Sequence, residues 1–463
     1  MPRKPYYITT PIYYVNDIPH VGHTCTTLVA DVLARYQKER GREAFFLTGT
    51  DEHGAKIAEA AKKAGKEPQE FTNEVSQRFV EAWKLLNFEY DYFIRTTNPK
   101  HKTLAQGFLQ RLYDQGDIYK GHYEGLYCVG CEKFITEKEL VDGKCPLHER
   151  EPEKQSEENY FFKLSAYIPK VKELIEKDIF RVSPENKKKE ILNKIEAGVR
   201  DLSISRANVT WGIPIPWDSR QTIYVWFEAL LNYWTAPQMV GQELWPPGIQ
   251  FIGKEIAWFH CVIWPAMLLS YGETLPKEVF VHDFYNLKGI KISKSLGNMI
   301  GPSELVEKFG VDGARYLLAV FFPHSSDTAL AWELMINKYN ADLANGLGNL
   351  VSRLAALAEK NQVSPYTPFT PLPPLTLWDE YNLPQILEGT WEKLRALDKE
   401  LNEKQPWKLE PEKARPVLSE IIGKLLQLNS QIKPFLPQTT TAIEAVFAAN
   451  PTEALKKPLF PRL

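Results

Sequence analysis

The chain has 463 residues, too many for one hydrophobic core, so its length predicts about two to four domains. Hydrophobic residues make up 44%, an ordinary globular share, and no apolar run approaches the roughly 18 residues of a membrane span, so no membrane partner is expected. The 56 Lys and Arg against 58 Asp and Glu leave a net charge of -2, which neither supports nor excludes RNA binding, because an RNA-binding face needs only a local basic patch. No apolar targeting segment opens the chain, and the five cysteines fit a reducing cytoplasm better than a disulfide framework.

The first predicted strand is the β-rich run Tyr6-Tyr7-Ile8-Thr9-Thr10, ended by Pro11. After a loop containing Asn16, Asp17 and Pro19, Leu28, Val29, Val32, Leu33 and Tyr36 recur at helical spacing until Gly41. Ala44-Phe45-Phe46-Leu47 reads as a second buried strand, leading into Gly49-Thr50-Asp51-Glu52-His53-Gly54. Strand, helix, strand within about fifty residues is a βαβ unit and implies a parallel sheet. His20-Val21-Gly22-His23 then sits at the N-terminal end of the crossover helix. Unpaired N–H groups and the helix dipole make that place suited to anions. Gly22 adds no side chain, so a base or ribose can lie close to the backbone. Two histidines there can donate hydrogen bonds to a phosphate as it becomes pentacoordinate.

Residues 116 to 220 interrupt this pattern. Cys128-Val129-Gly130-Cys131 is followed by Cys145-Pro146-Leu147-His148, and paired C-x-x-C and C-x-x-H knuckles suit one tetrahedral Zn2+ held by three thiolates and one imidazole. With all four positions filled by protein the metal is structural. Cys25 and Cys261 stand alone and read as small apolar core residues, and the lysine run Lys187-Lys188-Lys189 as a solvated helix face. Buried strands return at Thr222 to Phe227, Gln250 to Lys254 and Glu278 to Val281. Lys291-Ile292-Ser293-Lys294-Ser295 follows, flanked by Gly289 and Gly297, and suggests a loop able to close on ATP. Alone it reads as a solvated basic turn. Paired with a histidine motif at a helix start, Lys291 and Lys294 become point charges that neutralise a pyrophosphate leaving group. The prolines at 365, 368, 371, 373 and 374 join the last helices, and residues 379 to 449 carry amphipathic patterns of a helix bundle.

The paired motifs resemble the two signatures of class I aminoacyl-tRNA synthetases. Further stretches narrow this: Thr10-Pro11-Ile12-Tyr13-Tyr14-Val15-Asn16, Leu47 to Gly54, Asp201-Leu202-Ser203-Ile204-Ser205-Arg206, Tyr224-Val225-Trp226, Ile252-Gly253-Lys254, Trp258-Phe259-His260 and Asn345 to Leu350. Almost the whole chain is similar to the methionyl-tRNA synthetase family, in its subtype with a single zinc knuckle. The resemblance implies an α/β protein with a Rossmann-type parallel-sheet catalytic domain in two halves, 1–115 and 221–290. An inserted connective domain with the zinc knuckle would fill 116–220. A lysine-motif loop and stem-contact region would fill 291–345, and an α-helical anticodon-binding domain 346–463. The implied reaction joins L-methionine to the 3′ end of initiator and elongator tRNA(Met) through methionyl-adenylate, with ATP and Mg2+.

Carried over residue by residue, the resemblance puts the chemistry on His20, His23, Lys291 and Lys294, and ATP on these with Tyr14, Gly22, Gly253 and Glu255. It puts methionine against Ile12, Tyr14, Asp51, Trp226, Ala229, Tyr233, Ile256 and His260. Asp51 suits the substrate ammonium, and aromatic faces suit a thioether. Arg206 is expected near the site, pairing with Asp51 or the substrate carboxylate. Asn349, Arg353 and Trp407 are the implied anticodon readers, an indole being able to stack an unstacked base. Ile292, Glu228 and Glu255 depart from the methionine, aspartate and aspartate usual there. Many relatives continue into a dimerisation domain beyond the position of Leu463, so a cytoplasmic monomer is the expectation.

Other classes fit less well. A small nucleotidyltransferase needs neither the zinc insertion nor the helical third, and a dead synthetase fold would be expected to lose one of the four motif residues. A cysteine enzyme would place zinc in its substrate pocket. Valine, isoleucine and leucine enzymes carry a larger editing insertion, because one methylene is worth only about 1–3 kcal/mol of discrimination.

Overall fold

A computed structural model describes residues 4–16, 18–128, 133–135, 137, 140–146, 149–287, 290–291, 300–363, 376–449 and 453–463. The lysine motif beyond Lys291, the Pro365–Pro374 stretch, Cys131 and His148 lie outside these residues. The chain forms two compact units, one from residues 1–18, 47–78 and 91–280, the other from 19–46, 79–90 and 281–463.

The first unit is organised by a six-stranded sheet. Its strands are β1 (Tyr6–Tyr14), β2 (Ala44–Asp51), β3 (Tyr92–Arg95), β7 (Arg181–Ser183), β12 (Ile249–Gly253) and β13 (Glu278–His282), in the order β3-β2-β1-β12-β13-β7. β2 runs parallel to β3, β1 to β12 and β13 to β7, with Leu47 opposite Tyr92, Ile8 opposite Ile249 and Val279 opposite Val182. The order reverses direction at β1, so the crevice beyond the ends of β1 and β12 is where an open α/β sheet binds ligands. Gly49 is required within β2, because a Cβ there would lie 2.0 Å from the Ile94 carbonyl oxygen.

Two small antiparallel sheets complete the unit's strands. β4 (Ile118–Cys128), β5 (Lys133–Ile135), β6 (Glu153–Phe162) and β8 (Leu202–Ser203) form one, in the order β5-β4-β6-β8. β9 (Ser205–Arg206), β10 (Pro214–Ile215) and β11 (Asp218–Ile223) form the other. The unit's helices are α2 (Ala55–Lys63), α4 (Pro99–Asp114), α5 (Leu164–Glu176), α6 (Glu185–Glu196), α7 (Val225–Leu230), α8 (Asn232–Val240) and α9 (Trp264–Tyr271).

Four local expectations differ. β1 does not stop at Pro11 but continues to Tyr14, since its ladder to β12 is carried by Ile8 and Thr9, ahead of the residue that lacks an N–H. The run Thr222 to Phe227 is not one buried strand. β11 ends at Ile223 in an antiparallel sheet, and Tyr224 caps the buried helix α7; a short apolar run looks alike in either role. Lys187 and Lys188 are buried on α6, bonded to Glu190 and Asp178 at 3.4 and 2.7 Å, and only Lys189 is exposed. Finally, β7 lies within 116–220 yet pairs with β13 in the main sheet.

The second unit is mainly helical: α1 (Val21–Glu39), most of α10 (Pro302–Val320) and its neighbours α11 (Trp332–Lys338), α12 (Asn349–Lys360), α13 (Leu383–Lys404), α14 (Pro411–Ile432) and α15 (Pro437–Ala448). α3 (Pro68–Leu85) begins in the first unit and ends here. A small sheet joins β14 (Tyr285–Leu287) to β15 (Ile290–Lys291) and β16 (Thr328–Ala329). The amphipathic pattern of 379–449 thus resolves into three helices, α13 to α15, burying Leu387, Trp391, Leu394, Ile421, Leu425 and Phe447.

At the middle of this unit Arg315 is fully buried. Its guanidinium bonds Asp31 at 2.6 Å and reaches the carbonyls of Phe435, Pro434, Leu86 and Asn87 at 2.9, 3.0, 3.2 and 3.4 Å. Asp31 also receives Arg35 and the Glu89 amide at 2.9 and 2.7 Å. Removing one partner of such a pair leaves a buried uncompensated charge. Arg315→Ala should cost about 3–5 kcal/mol of stability, read from the urea midpoint, whereas Lys433→Ala, on a partly exposed pair with Glu39, should change it little.

Candidate active site

Helix α1 opens the candidate phosphate site. His20 is its N-cap, with an extended backbone, and its Nδ1 accepts the Gly22 N–H at 3.1 Å. His23 Nδ1 in turn accepts the His20 N–H at 3.3 Å, closing a capping box. Backbone N–H groups only donate, so both Nδ1 atoms carry lone pairs and the ring protons belong on Nε2. Each imidazole is therefore a neutral Nε2–H donor at a helix start. The rings stack at 3.8 Å, and burial, then His20, push the His23 pKa well below its usual value. Gly22 is needed for this cap, since a Cβ there would lie 2.9 Å from the His20 ring. The Val21 N–H donates to the Ile300 carbonyl at 2.9 Å, which ties the helix start to the residue that ends the lysine-motif segment.

The first unit brings the methionine candidates together around α7, α8 and the ends of β1 and β2. Tyr233, fully buried, lies 2.8 Å through its hydroxyl from His260 Nε2, and His260 Nδ1 is 3.1 Å from the Ile256 carbonyl. That carbonyl only accepts, so Nδ1 holds the imidazole proton and Nε2 accepts from Tyr233. Burial lowers the His260 pKa to about 4. Trp226, half-buried, stacks on Phe259 at 4.7 Å, and Ala229 is buried on the same short helix. Asp51 is buried at the end of β2, its carbonyl accepting the Val15 N–H at 3.2 Å. Ile12 and Tyr14 share one side of β1 and are half-buried, with Lys56 Nζ 5.9 Å from the Tyr14 ring. The Glu255 carboxylate folds back so closely over Gly253 that a Cβ there would lie 2.4 Å from it. Arg206 donates to the Ser203 and Ser205 carbonyls at 3.2 and 2.7 Å and lies 4.1 Å over the Tyr224 ring.

A set of buried ionisable groups in the same unit was only partly legible in the sequence. Glu52 is fully buried and held by Arg95 at 2.6 and 2.9 Å, with Thr97 donating to it. His53 Nδ1 lies 2.6 Å from Glu228 Oε1. Burial lowers both the His53 and His101 pKa values to about 3. His53 carried a signal, its place in the Gly49-to-Gly54 motif, whereas nothing marked His101.

Of the zinc candidates, Cys128 and Cys145 are buried in one cluster with Leu126 and Leu140, and neither forms a disulfide. The knuckle around Cys145 is a tight hairpin, with Val141 paired to Lys144 and the Cys145 N–H donating to the Arg150 carbonyl at 2.9 Å. Two buried reduced thiols side by side suit a soft divalent metal. Among the described residues no group of three metal ligands forms. Cys25 and Cys261 are buried, and burial raises the Cys261 thiol pKa, which removes it as a nucleophile.

In the second unit Asn349 is exposed at the start of α12. Arg353 on the same helix bonds Asp398 and Asn402, each at 2.6 Å, and lies 5.8 Å from the Trp407 ring. Trp407 itself is 39% exposed, enough for one indole face to accept a partner.

A reversing parallel sheet and a helix opened by a capped histidine pair make the catalytic architecture of a class I aminoacyl-tRNA synthetase. The family model for tRNA synthetases class I (M) matches residues 6–152 and 137–355. A methionine--tRNA ligase of Caldanaerobacter subterraneus is 41% identical, over 94% of this chain and 73% of its own length. One from Nostoc is 45% identical over 77% of this chain and 70% of its own. The solved structure of Mycobacterium tuberculosis methionyl-tRNA synthetase in complex with methionyl-adenylate is similar at a TM-score of 0.90 and 32% identity, covering 99% of this chain and 100% of that one. The chain belongs to the methionyl-tRNA synthetase family. No described helix is long and apolar enough to cross a membrane.

The neutral buried histidines set a pH dependence. His53, His101 and His260 have folded pKa values depressed below 6.5, to about 3, 3 and 4. Below that unfolded value only the unfolded chain takes up these protons, so stability falls as pH drops from about 6.5 toward about 4. Each group should contribute about 2 kcal/mol of loss by about pH 5. Glu228, whose carboxyl burial raises well above its usual range, acts in the opposite sense. Thermal midpoints measured between about pH 7 and about pH 5 should therefore fall, and a flat profile would contradict the neutral assignment.

Proposed function

We propose that the chain ligates L-methionine to tRNA(Met), initiator and elongator, through methionyl-adenylate, consuming ATP with Mg2+ and releasing pyrophosphate and AMP. The observation that carries this is the similarity, over 99% of the chain, to a methionyl-tRNA synthetase solved with methionyl-adenylate. The site chemistry agrees. Asp51 takes the substrate ammonium, and Ile12, Tyr14, Trp226, Ala229 and Ile256 enclose the thioether. Tyr233 and His260 hold one fixed proton pattern at the end of the pocket.

In the first step a methionine carboxylate oxygen attacks the α-phosphorus of ATP. The bond from that phosphorus to the bridging oxygen breaks, and pyrophosphate leaves with the electron pair. The Nε2–H groups of His20 and His23 donate to phosphate oxygens as negative charge grows there. Lys291 and Lys294 neutralise the leaving group, and Gly22, Gly253, Glu255 and Tyr14 receive the nucleoside. In the second step a terminal ribose hydroxyl of the tRNA attacks the methionyl carbonyl carbon, AMP leaves, and the hydroxyl proton passes to solvent or the AMP phosphate.

Cys128, Cys131, Cys145 and His148 would hold one structural Zn2+, which when bound supplies a crosslink for the 116–220 region. Asn349, Arg353 and Trp407 read the anticodon from the helical 346–463 region. Every residue invoked lies in one chain, so a monomer suffices, in the cytoplasm where all three substrates meet.

Methionine-dependent ATP–pyrophosphate exchange tests the reading. Fast exchange with methionine, and not with leucine, isoleucine or cysteine, is expected, and exchange with none would overturn it. His23→Ala should slow exchange by about a hundredfold or more, the usual scale for losing one preorganised donor, while its melting curve stays cooperative. Trp407→Ala should weaken charging of tRNA(Met) and leave exchange unchanged; equal loss of both would make Trp407 a packing residue.

A further inference from the structure

Glu228 lies between two residues of the methionine wall, Trp226 and Ala229, and is itself fully buried. The hydrogen-bond chain around it fixes where its proton can be. Thr235 donates its hydroxyl hydrogen to the Asn232 carbonyl at 3.3 Å. That hydroxyl oxygen, 2.8 Å from His101 Nδ1, is then left to accept, so His101 holds its proton on Nδ1. His101 Nε2 consequently carries a lone pair, and it faces Glu228 Oε2 at 3.9 Å. Glu228 Oε2 has no hydrogen-bond partner among the described residues. An ionised Oε2 would point one lone pair at another in a site closed to water. A proton on Oε2 turns the same contact into a donor facing an acceptor. It also leaves Oε1 as a carbonyl oxygen, accepting from His53 Nδ1–H at 2.6 Å.

We propose that Glu228 is a positioning residue held as a neutral acid, its proton directed at His101 and its carbonyl oxygen locked to His53. This deepens the methionine-ligase reading and rests on it. The consequence is geometric and electrostatic together. The His53 bond joins the Asp51-to-Gly54 turn to helix α7, so the carboxylate for the substrate ammonium and the indole for its side chain are set against each other by one hydrogen bond. Because Glu228 is uncharged, it adds no negative charge between Trp226 and Ala229 of the methionine wall.

The other groups acting on this carboxyl are consistent. Burial dominates and raises its pKa well above the carboxylate range, Lys102 pulls it down, and Glu52, itself paired with Arg95, pushes it up. His53 and His101 both stay neutral to about pH 3.

Substitution separates a neutral donor–acceptor from a buried charge. In Glu228→Gln the amide oxygen can accept from His53 and the amide N–H can donate to His101, which reproduces the proposed pattern. Glu228→Ala removes the His53 bond and the His101 contact. In methionine-dependent exchange, Glu228→Gln should keep the methionine KM within about threefold of wild type, with the same dependence on pH between about 6 and about 8. Glu228→Ala should raise that KM about tenfold or more, with kcat and the KM for ATP little changed. A Glu228→Gln defect as large as that of Glu228→Ala would overturn the proposal, as would an unchanged methionine KM in Glu228→Ala. Should Glu228→Ala fail to fold, the Glu228→Gln value and its pH profile still decide between acid and anion. Absence of methionine-dependent exchange in the wild-type chain would instead strike at the ligase reading itself.

Discussion

The Asp31–Arg315 pair is the constraint on which the helical unit depends. Two charges removed wholly from water are tolerated only when every remaining donor and lone pair is met. Here that condition recruits four segments: α1 through Asp31, the turn after α3 through Leu86 and Asn87, α10 through Arg315 itself, and the corner before α15 through Pro434 and Phe435. Asp31 sits eleven residues past the His20 cap, roughly 16 Å along the same rod. The orientation of the histidine pair is therefore set by an ion pair three turns away, and the bundle's last corner is fixed by the same guanidinium.

What could be read from the sequence was what local physics decides. Pro19, the helical spacing from Leu28 to Tyr36 and Gly41 marked the boundaries of α1, which runs Val21–Glu39. The strands at Ala44, Ile249 and Glu278 announced themselves as β-rich runs between breakers. What failed was decided at long range. Tyr224 to Phe227 has the composition of a strand, yet it caps and starts a helix, a short apolar run being compatible with either. Lys188 looked solvated, and no periodicity could reveal that Asp178 would accept it. The contact between His53 and Glu228 spans 175 residues, so neither neighbourhood hints at it. The lysine motif and half of the zinc knuckle remain readings of the sequence, since they lie outside the described residues.

A common electrostatic habit links the two units when each is considered by itself. In both, candidate histidines are held neutral, with tautomers dictated by backbone groups: the half-buried His23 by the His20 N–H, the buried His260 by the Ile256 carbonyl. Fixing a tautomer with the backbone makes the donor direction independent of solvent and of neighbouring side chains. In the proposed reaction His23 Nε2–H, fixed in this way, would need no reorganisation as charge develops beside it, which is the condition under which a hydrogen bond does most for a transition state.

The guanidinium of Arg353 has a different bearing. Two of its nitrogens already serve Asp398 and Asn402. An incoming acceptor at those nitrogens must displace a carboxylate rather than fill a vacancy, so recognition there is an exchange of partners. Exchange penalises weak ligands: a base that offers poorer geometry than Asp398 leaves the arginine where it was. With Arg353 as a proposed anticodon reader, the resting helix pair would be the competitor against which each candidate base is judged, and discrimination would reside partly in the unbound protein.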